Sequence, residues 1–286
     1  MKRILRLTLF VLGGVLALAA IAYAVVYIQS ERLLNRKYAI TPVALAIPTD
    51  AASIEEGRRL ATLRGCFNGC HGKGAGGVVF FDQPIIARLN APNLTAAVRK
   101  FSDAELITVI RHGVRPDGRS MFVMPSEAFI YLTDEDLVRI IAFLRSLPPV
   151  PGPEPSVALG PVGRIGLVTG RFALVADLIA RTVPPPEATS EEARFGRYLA
   201  RTICAQCHGA SLRGDSNPDF TSPDLRVTAA YSQEAFARLM RTGEAIGGRD
   251  LPTMRPWARG HLALFSDGEI AALWSYLHAL PEPGRP

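Results

Sequence analysis

Long basic runs, strand signals and cysteines are all scarce in this sequence, and each scarcity argues against something. No stretch of five or more consecutive Lys or Arg occurs, so the formal net charge of +6 over 286 residues is spread thinly, which argues against a nucleic-acid role. No β-hairpin signal and no alternation of strand and helix patterns stand out, so an all-α fold is expected. Only four cysteines are present, Cys66, Cys70, Cys204 and Cys207. They form two close pairs, and the second member of each is followed at once by a histidine, His71 or His208. The length suggests about two domains of ordinary size.

What is abundant comes first in the chain. Lys2, Arg3 and Arg6 precede an uncharged apolar run from Leu7 to Ile28, which as a helix would span about 33 Å, enough to cross a bilayer core. Tyr23 and Tyr27 fall where an interfacial aromatic belt would lie. Residues 1–36 are therefore expected to be a membrane anchor outside the globular fold. The alternative is a cleaved secretory signal, with Ala20-Ile21-Ala22 or Ala22-Tyr23-Ala24 as the small-residue site. Continuation of the apolar run through Val25-Val26-Tyr27-Ile28 argues for retention.

Residues 50–148 and 188–282 read as one unit written twice. Ser53 with Glu56 and Thr189 with Glu192 are expected to cap the opening helices. Gly57-Arg58-Arg59-Leu60-Ala61 matches Gly196-Arg197-Tyr198-Leu199-Ala200, and a Cys-His motif follows each. Further on, helices after Ser102 and Ser232 run into Gly113 and Gly243, residues suited to a helix C-terminus. Eleven residues after each glycine stands a methionine, Met124 or Met254. Each unit closes with a helix, Thr133 to Leu147 or Ser266 to Leu280, followed by a proline; Phe143 and Tyr276 occupy matching places in them. Residues 149–187 form a Pro-rich linker whose apolar middle, Leu167 to Ile179, is expected to be a short helix packed across the two domains.

Cys204-Ala205-Gln206-Cys207-His208 has the spacing of a c-type haem attachment motif. Two thiols on one turn can add to the two vinyl groups of a haem, and the adjoining His can then bind the iron. Half a zinc site, a redox dithiol or a disulfide would also use a Cys pair. However, the pairs lie in separate repeats, each with its own His and a methionine downstream, and a thioredoxin-like strand-helix setting is missing. Cys66-Phe67-Asn68-Gly69-Cys70-His71 departs from this pattern by one extra residue between its thiols. Asn68-Gly69 tolerates the left-handed turn needed to loop that residue out. Two covalently bound haems c are therefore expected, with His71 and Met124 as iron ligands in the first unit and His208 and Met254 in the second. A neutral thioether favours ferrous iron and raises the reduction potential. The register with Met254 selects Met124 over Met121, and Met240 reads as core. His112, His261 and His278 read as surface or internally satisfied residues. Arg119 and Arg249 are either propionate partners or solvated loop residues.

At these residues the sequence resembles the class I cytochrome c family, in both units, and looks most like membrane-anchored dihaem cytochromes and the cytochrome subunits of periplasm-facing dehydrogenases. The resemblance implies that the first and last helices of each unit cross, Gly57 meeting Phe143 and Gly196 meeting Tyr276. It also implies a proline carbonyl that orients the proximal His ring, with Pro92 and Pro223 as candidates. The dehydrogenase subunits usually carry three such domains, and this chain carries two. The expected function is electron transfer without catalysis of its own, between redox partners such as a dehydrogenase, an oxidase or another cytochrome. The location implied is the bacterial inner membrane, with the haem domains facing the periplasm. A subunit wiring a dehydrogenase or oxidase to other carriers is compatible with this. A dihaem peroxidase is the alternative, disfavoured by two apparent Met ligands and no obvious distal acid-base set.

Overall fold

The computed structural model describes residues 2–216 and 221–280. It opens with a single long helix, α1 (Lys2–Leu34), long and apolar enough to cross a membrane and unburied by the rest of the chain over its apolar window. After an extended stretch, α2 (Ala51–Leu63) begins the first unit. A hairpin follows, β1 (Val78–Gln83) and β2 (Ala87–Ala91), then α3 (Leu94–Lys100), α4 (Asp103–His112), α5 (Ser126–Phe129) and α6 (Asp134–Ser146). The linker contributes β3 (Ser156–Leu159), α7 (Pro161–Val168) and α8 (Val175–Arg181). The second unit is α9 (Glu191–Leu199), a π-helical turn over Ala200–Cys204, α10 (Ala205–His208), a two-residue ladder β4 (Asp215–Ser216) with β5 (Thr221–Ser222), α11 (Gln233–Thr242), α12 (Met254–Gly260) and α13 (Asp267–His278).

The fold is predominantly helical, as expected, but it contains a hairpin that no hairpin signal in the sequence marks. β1 pairs antiparallel with β2, and β2 with β3, in the order β1-β2-β3. The cause lies in Val78-Val79-Phe80-Phe81, a β-branched and aromatic run too short for a helix, closed by a turn at Pro84. A bulge between Val79 and Phe81 breaks the alternation that would have marked it.

Helix ends follow local side-chain chemistry. Thr133 and Ser266 cap α6 and α13 as expected, and Ser102 forms a capping box with Glu105. Gly113 and Gly243 end α4 and α11 at φ 59° and 72°, a left-handed conformation that favours glycine. The first helices differ from expectation: Asp50 caps α2 by accepting from Ser53 N, and Ser190 caps α9 by accepting from Ala193 N. Asp50 and Ser190 hold the extended φ and ψ that an N-cap requires.

Two apolar cores form. Leu60, Val98, Ile107, Phe129, Leu137, Ile141 and Phe143 build the first; Leu199, Ile203, Phe236, Leu239, Phe265, Leu273 and Tyr276 build the second. In both, the opening and closing helices cross on a glycine. A Cβ on Gly57 would lie 1.9 Å from Arg139 O and 3.0 Å from Phe143 Cβ, and one on Gly196 1.9 Å from Ala272 O and 2.9 Å from Tyr276 Cβ. Only a hydrogen at these positions lets the backbones approach so closely. Leu63, from α2, is buried in the second core, so the two units share packing.

Leu167 to Ile179 is not one helix packed across the two units as expected: the chain leaves the helix over 169–174, and only the linker's end meets the second unit, where Pro185 O and Pro186 O accept from Arg197. α7 packs on the end of α1 and on β3, and α8 packs on α4 and α5. Val175 fills the space at Gly113, and Val175 N and Ala176 N donate to Met121 O and Ser120 Oγ. The linker's buried apolar residues, Leu167, Leu174 and Val175, thus lie on the side of the first unit and the anchor.

Candidate functional site

Each Cys-His motif sits where the opening helix of its unit ends. In the second unit, α9 passes through the π-helical turn into α10, carrying Cys204 and Cys207 on successive turns. In the first, α2 ends at Leu63 and Gly65 turns the chain at φ 75°. Asn68 then adopts φ 58°, the left-handed conformation anticipated for the extra residue, and its Oδ1 accepts from Gly74 N at 2.9 Å. Beyond the motifs the two units coincide: Gly77 N donates to His71 O at 2.8 Å, and Gly214 N to His208 O at 2.9 Å.

The imidazoles are oriented identically. His71 Nδ1 lies 2.9 Å from Pro92 O, and His208 Nδ1 lies 2.9 Å from Pro223 O. A carbonyl only accepts, so each Nδ1 is the protonated nitrogen and Nε2 keeps a free lone pair. Burial pushes both imidazoles below their ordinary pKa, against the raising effect of the proline carbonyls, so they are held neutral, as an iron ligand must be.

Burial also pushes all four thiols up, Cys66 and Cys204 to about 12. Ala205 of the second motif packs against the first core, as do Cys66 and Phe67, so the two motifs are neighbours. Met124 packs on the first core together with Cys66 and Phe67, and Met254 on the second together with Cys204 and Trp257. Met240 is buried in the second core.

Paired thiols, a neutral imidazole with Nε2 free and a thioether on the same core form a donor set that fits haem c. Arg226 and Arg255, near Pro223 and Met254 in sequence, are paired with Asp224 and Asp250.

The remaining histidines are accounted for without iron. His261 is buried, with Nδ1 2.7 Å from Thr62 O and its ring stacked on Trp257 at 3.9 Å. His278 stacks on Trp274, and burial and Arg111 push His112 down, so it carries little charge at the helix end. Arg119 is paired with Asp117 at 2.6 Å.

Sequence reading missed the contacts that join the units. Arg59 grips Glu269 with two nitrogens, at 2.8 and 3.0 Å. The fully buried side chain of Arg64 donates from Nη2 to Asp136 at 3.0 Å, Tyr198 at 3.2 Å and Thr202 at 3.4 Å. Trp257 presses on Gly65, next to Cys66. These are side chains from distant segments with no shared spacing; the only local hint was a helix, α2, with arginines on more than one face.

Comparison with known proteins agrees in both halves. Residues 194–281 match the family described as Cytochrome c, and residues 52–144 the family described as Cytochrome C oxidase, cbb3-type, subunit III. Among curated relatives, the fructose dehydrogenase cytochrome subunit of Gluconobacter japonicus is 24% identical over 266 residues, covering 82% of this chain and 54% of the relative. The cytochrome c subunit of the quinone alcohol dehydrogenase of Gluconacetobacter polyoxogenes is 23% identical over 274 residues, covering 84% of this chain and 58% of the relative, and that of Komagataeibacter europaeus gives the same figures. The chain therefore spans a little over half the length of these relatives. With helices crossing on glycine and a carbonyl-oriented histidine in each half, the chain carries two cytochrome c family domains in tandem and is similar to class I cytochromes c and to dehydrogenase cytochrome subunits.

Proposed function

We propose that the chain is a dihaem electron carrier, one haem c held by Cys66, Cys70, His71 and Met124 and the other by Cys204, Cys207, His208 and Met254. The domains holding them are residues 50–148 and 188–282. The carrying observation is the imidazole Nδ1 held at 2.9 Å from a proline carbonyl in both halves, which leaves Nε2 free in each. Haem c supplies a one-electron ferric/ferrous couple. The thiols tether the group, His71 and His208 present neutral nitrogen, and Met124 and Met254 present sulfur. With an imidazole and a thioether both committed to each haem, no donor position would remain open for substrate, which suits outer-sphere transfer. The packing of Leu63 in the second core and of Ala205 on the first keeps the two motifs neighbours, so an electron could pass between them within one chain.

α1 anchors the chain in the inner membrane, with both cytochrome domains on the periplasmic side, where haem is attached to such motifs. Because the relatives are named as cytochrome subunits of fructose and quinone alcohol dehydrogenases, the partner is a dehydrogenase of that kind. The chain relays its electrons onward, and the carrier itself performs no catalysis. A pyridine haemochrome assay on the denatured protein tests the central claim. Two haems per chain are expected, and one would remove the first site.

A further inference from the structure

The linker helix α7 lies against the end of α1. Arg164 donates to Ser30 Oγ at 2.7 Å and pairs with Glu31 at 2.8 Å, and its guanidinium sits 4.1 Å from the centre of the Tyr27 ring. Ser30 is fully buried beneath this contact. Arg36 and Tyr38, just beyond α1, bind Asp177 of α8. The anchor is therefore clamped to the first unit at the level of its last turn. The apolar run ends at Ile28, and about 30 Å of hydrocarbon would accommodate it, so Tyr27 and Arg164 fall at the membrane-water boundary.

At that level the chain exposes apolar side chains in a stripe. Gly163, Gly166 and Leu167 are the buried side of α7, while Val162 and Ile165 on its other side are 47% and 45% exposed. Phe172 folds back over Gly166, yet remains 38% exposed. The β1–β2 turn joins them: Ile85 O accepts from Val162 N at 3.0 Å, and the Ile85 side chain is 63% exposed. Arg171, exposed beside Phe172, can keep its head in water while its stem lies along the apolar surface.

We propose that this face, Ile85, Val162, Ile165 and Phe172, rests in the interfacial layer of the bilayer that α1 crosses, so that the first cytochrome domain is held on the membrane surface in one orientation. The occupant is lipid because the face is continuous with the last turn of the anchor and lies at its depth. An interfacial helix buries one apolar side at the headgroup boundary in this way. The inference rests on the reading of α1 as a retained span. A flexible tether would leave the haem domains free to tumble; a clamped helix and a lipid-seated linker fix which surfaces face a partner.

Photocrosslinking of the full chain in phospholipid nanodiscs tests this. Ile85, Ile165, Leu16 and Val227 are replaced one at a time by p-benzoylphenylalanine; Leu16 lies in the span, and Val227 is an exposed residue of the second unit. The haem absorption spectrum identifies variants that have folded. Lipid adducts are expected at positions 16, 85 and 165 and not at 227. Adducts at 16 alone would overturn the proposal while the anchor stands. Adducts at 85 and 165 without 16 would support the surface contact and remove the span. Adducts at no position would overturn both. Equal yield at 227, or protein adducts at 85 and 165 when a membrane extract is added, would also overturn the lipid contact, the latter in favour of a protein partner.

Discussion

The two halves solve the same problem with different backbones. The second carries its thiols along a helical path that widens into a π turn at Ala200–Cys204 and continues to His208. The first stops its helix at Leu63 and uses left-handed residues, Gly65 and Asn68, to absorb one more residue between the thiols. Past the histidine they rejoin, with glycines at 72 and 77 and at 209 and 214 and the same His-to-proline hydrogen bond. They part again before the proline, where the first half inserts a full hairpin and the second, among the described residues, a two-residue ladder. Chain length thus varies between the fixed points, while the points that orient the imidazole are kept. The difference also separates what each half touches: the inserted hairpin joins the linker through β3, and the second half has no such neighbour among the described residues.

The largest expected effect breaks both halves alike. Gly57→Val or Gly196→Val puts a side chain into a carbonyl 1.9 Å from the new Cβ, and should cost about 3 kcal/mol or more in the affected half. Haem content per chain and thermal unfolding should show one half lost and the other retained. Equal damage to both would mean that they fold as one unit.

Axial ligation sharpens the comparison next. Met254→Ala should open the second iron, lower its potential and let it bind carbon monoxide, and Met124→Ala should do the same to the first only. The weak ferric band that reports sulfur ligation should fall by about half in each variant. Native protein that binds carbon monoxide at both haems, or turns over peroxide at about 1 per second or faster, would replace the carrier by a peroxidase.

The bridge between the halves should contribute less. Burial alone would raise the Glu269 carboxyl, but hydrogen bonds and charge from Arg59, and a bond from Ser266 N, hold it below its ordinary value of 4.5. A depressed carboxyl stabilises the fold fully above its unfolded pKa and loses that contribution as pH falls through the folded value. Glu269→Gln should therefore lower stability by about 2 kcal/mol at neutral pH and by progressively less below pH ~4. An unfolding series from pH 7 to pH ~3 reads this, and a difference independent of pH would assign Glu269 a packing role only.

The smallest effect belongs to the extra residue. Asn68→Ala places a Cβ-bearing residue without a polar side chain at φ 58° and removes the bond to Gly74 N, costing about 1 kcal/mol or slightly more. Asn68→Gly should be nearly neutral, because glycine adopts that backbone freely. Thermal unfolding of the first half resolves the two; equal losses would place the cost in the lost hydrogen bond rather than in the backbone.

Much of the candidate site was legible in the sequence because it is local or repeated. Thiol and imidazole spacing and the glycines that end α4 and α11 follow from short separations read in two copies, the turn at Asn68-Gly69 from one dipeptide, and the proline partners of His71 and His208 came from the family resemblance. The repeat set Gly57 against Gly196 and Phe143 against Tyr276, and the resemblance implied that each glycine meets its aromatic, as the crossing helices do. Tertiary structure alone decided which neighbouring polar residue caps α2, whether Val78 to Phe81 would find a strand partner, and where the linker would dock. It alone brought Arg59 and Arg64 to Glu269, Asp136 and Tyr198. Local preference is periodic and visible along one segment, whereas these contacts depend on surfaces that exist only after both halves and the anchor have come together.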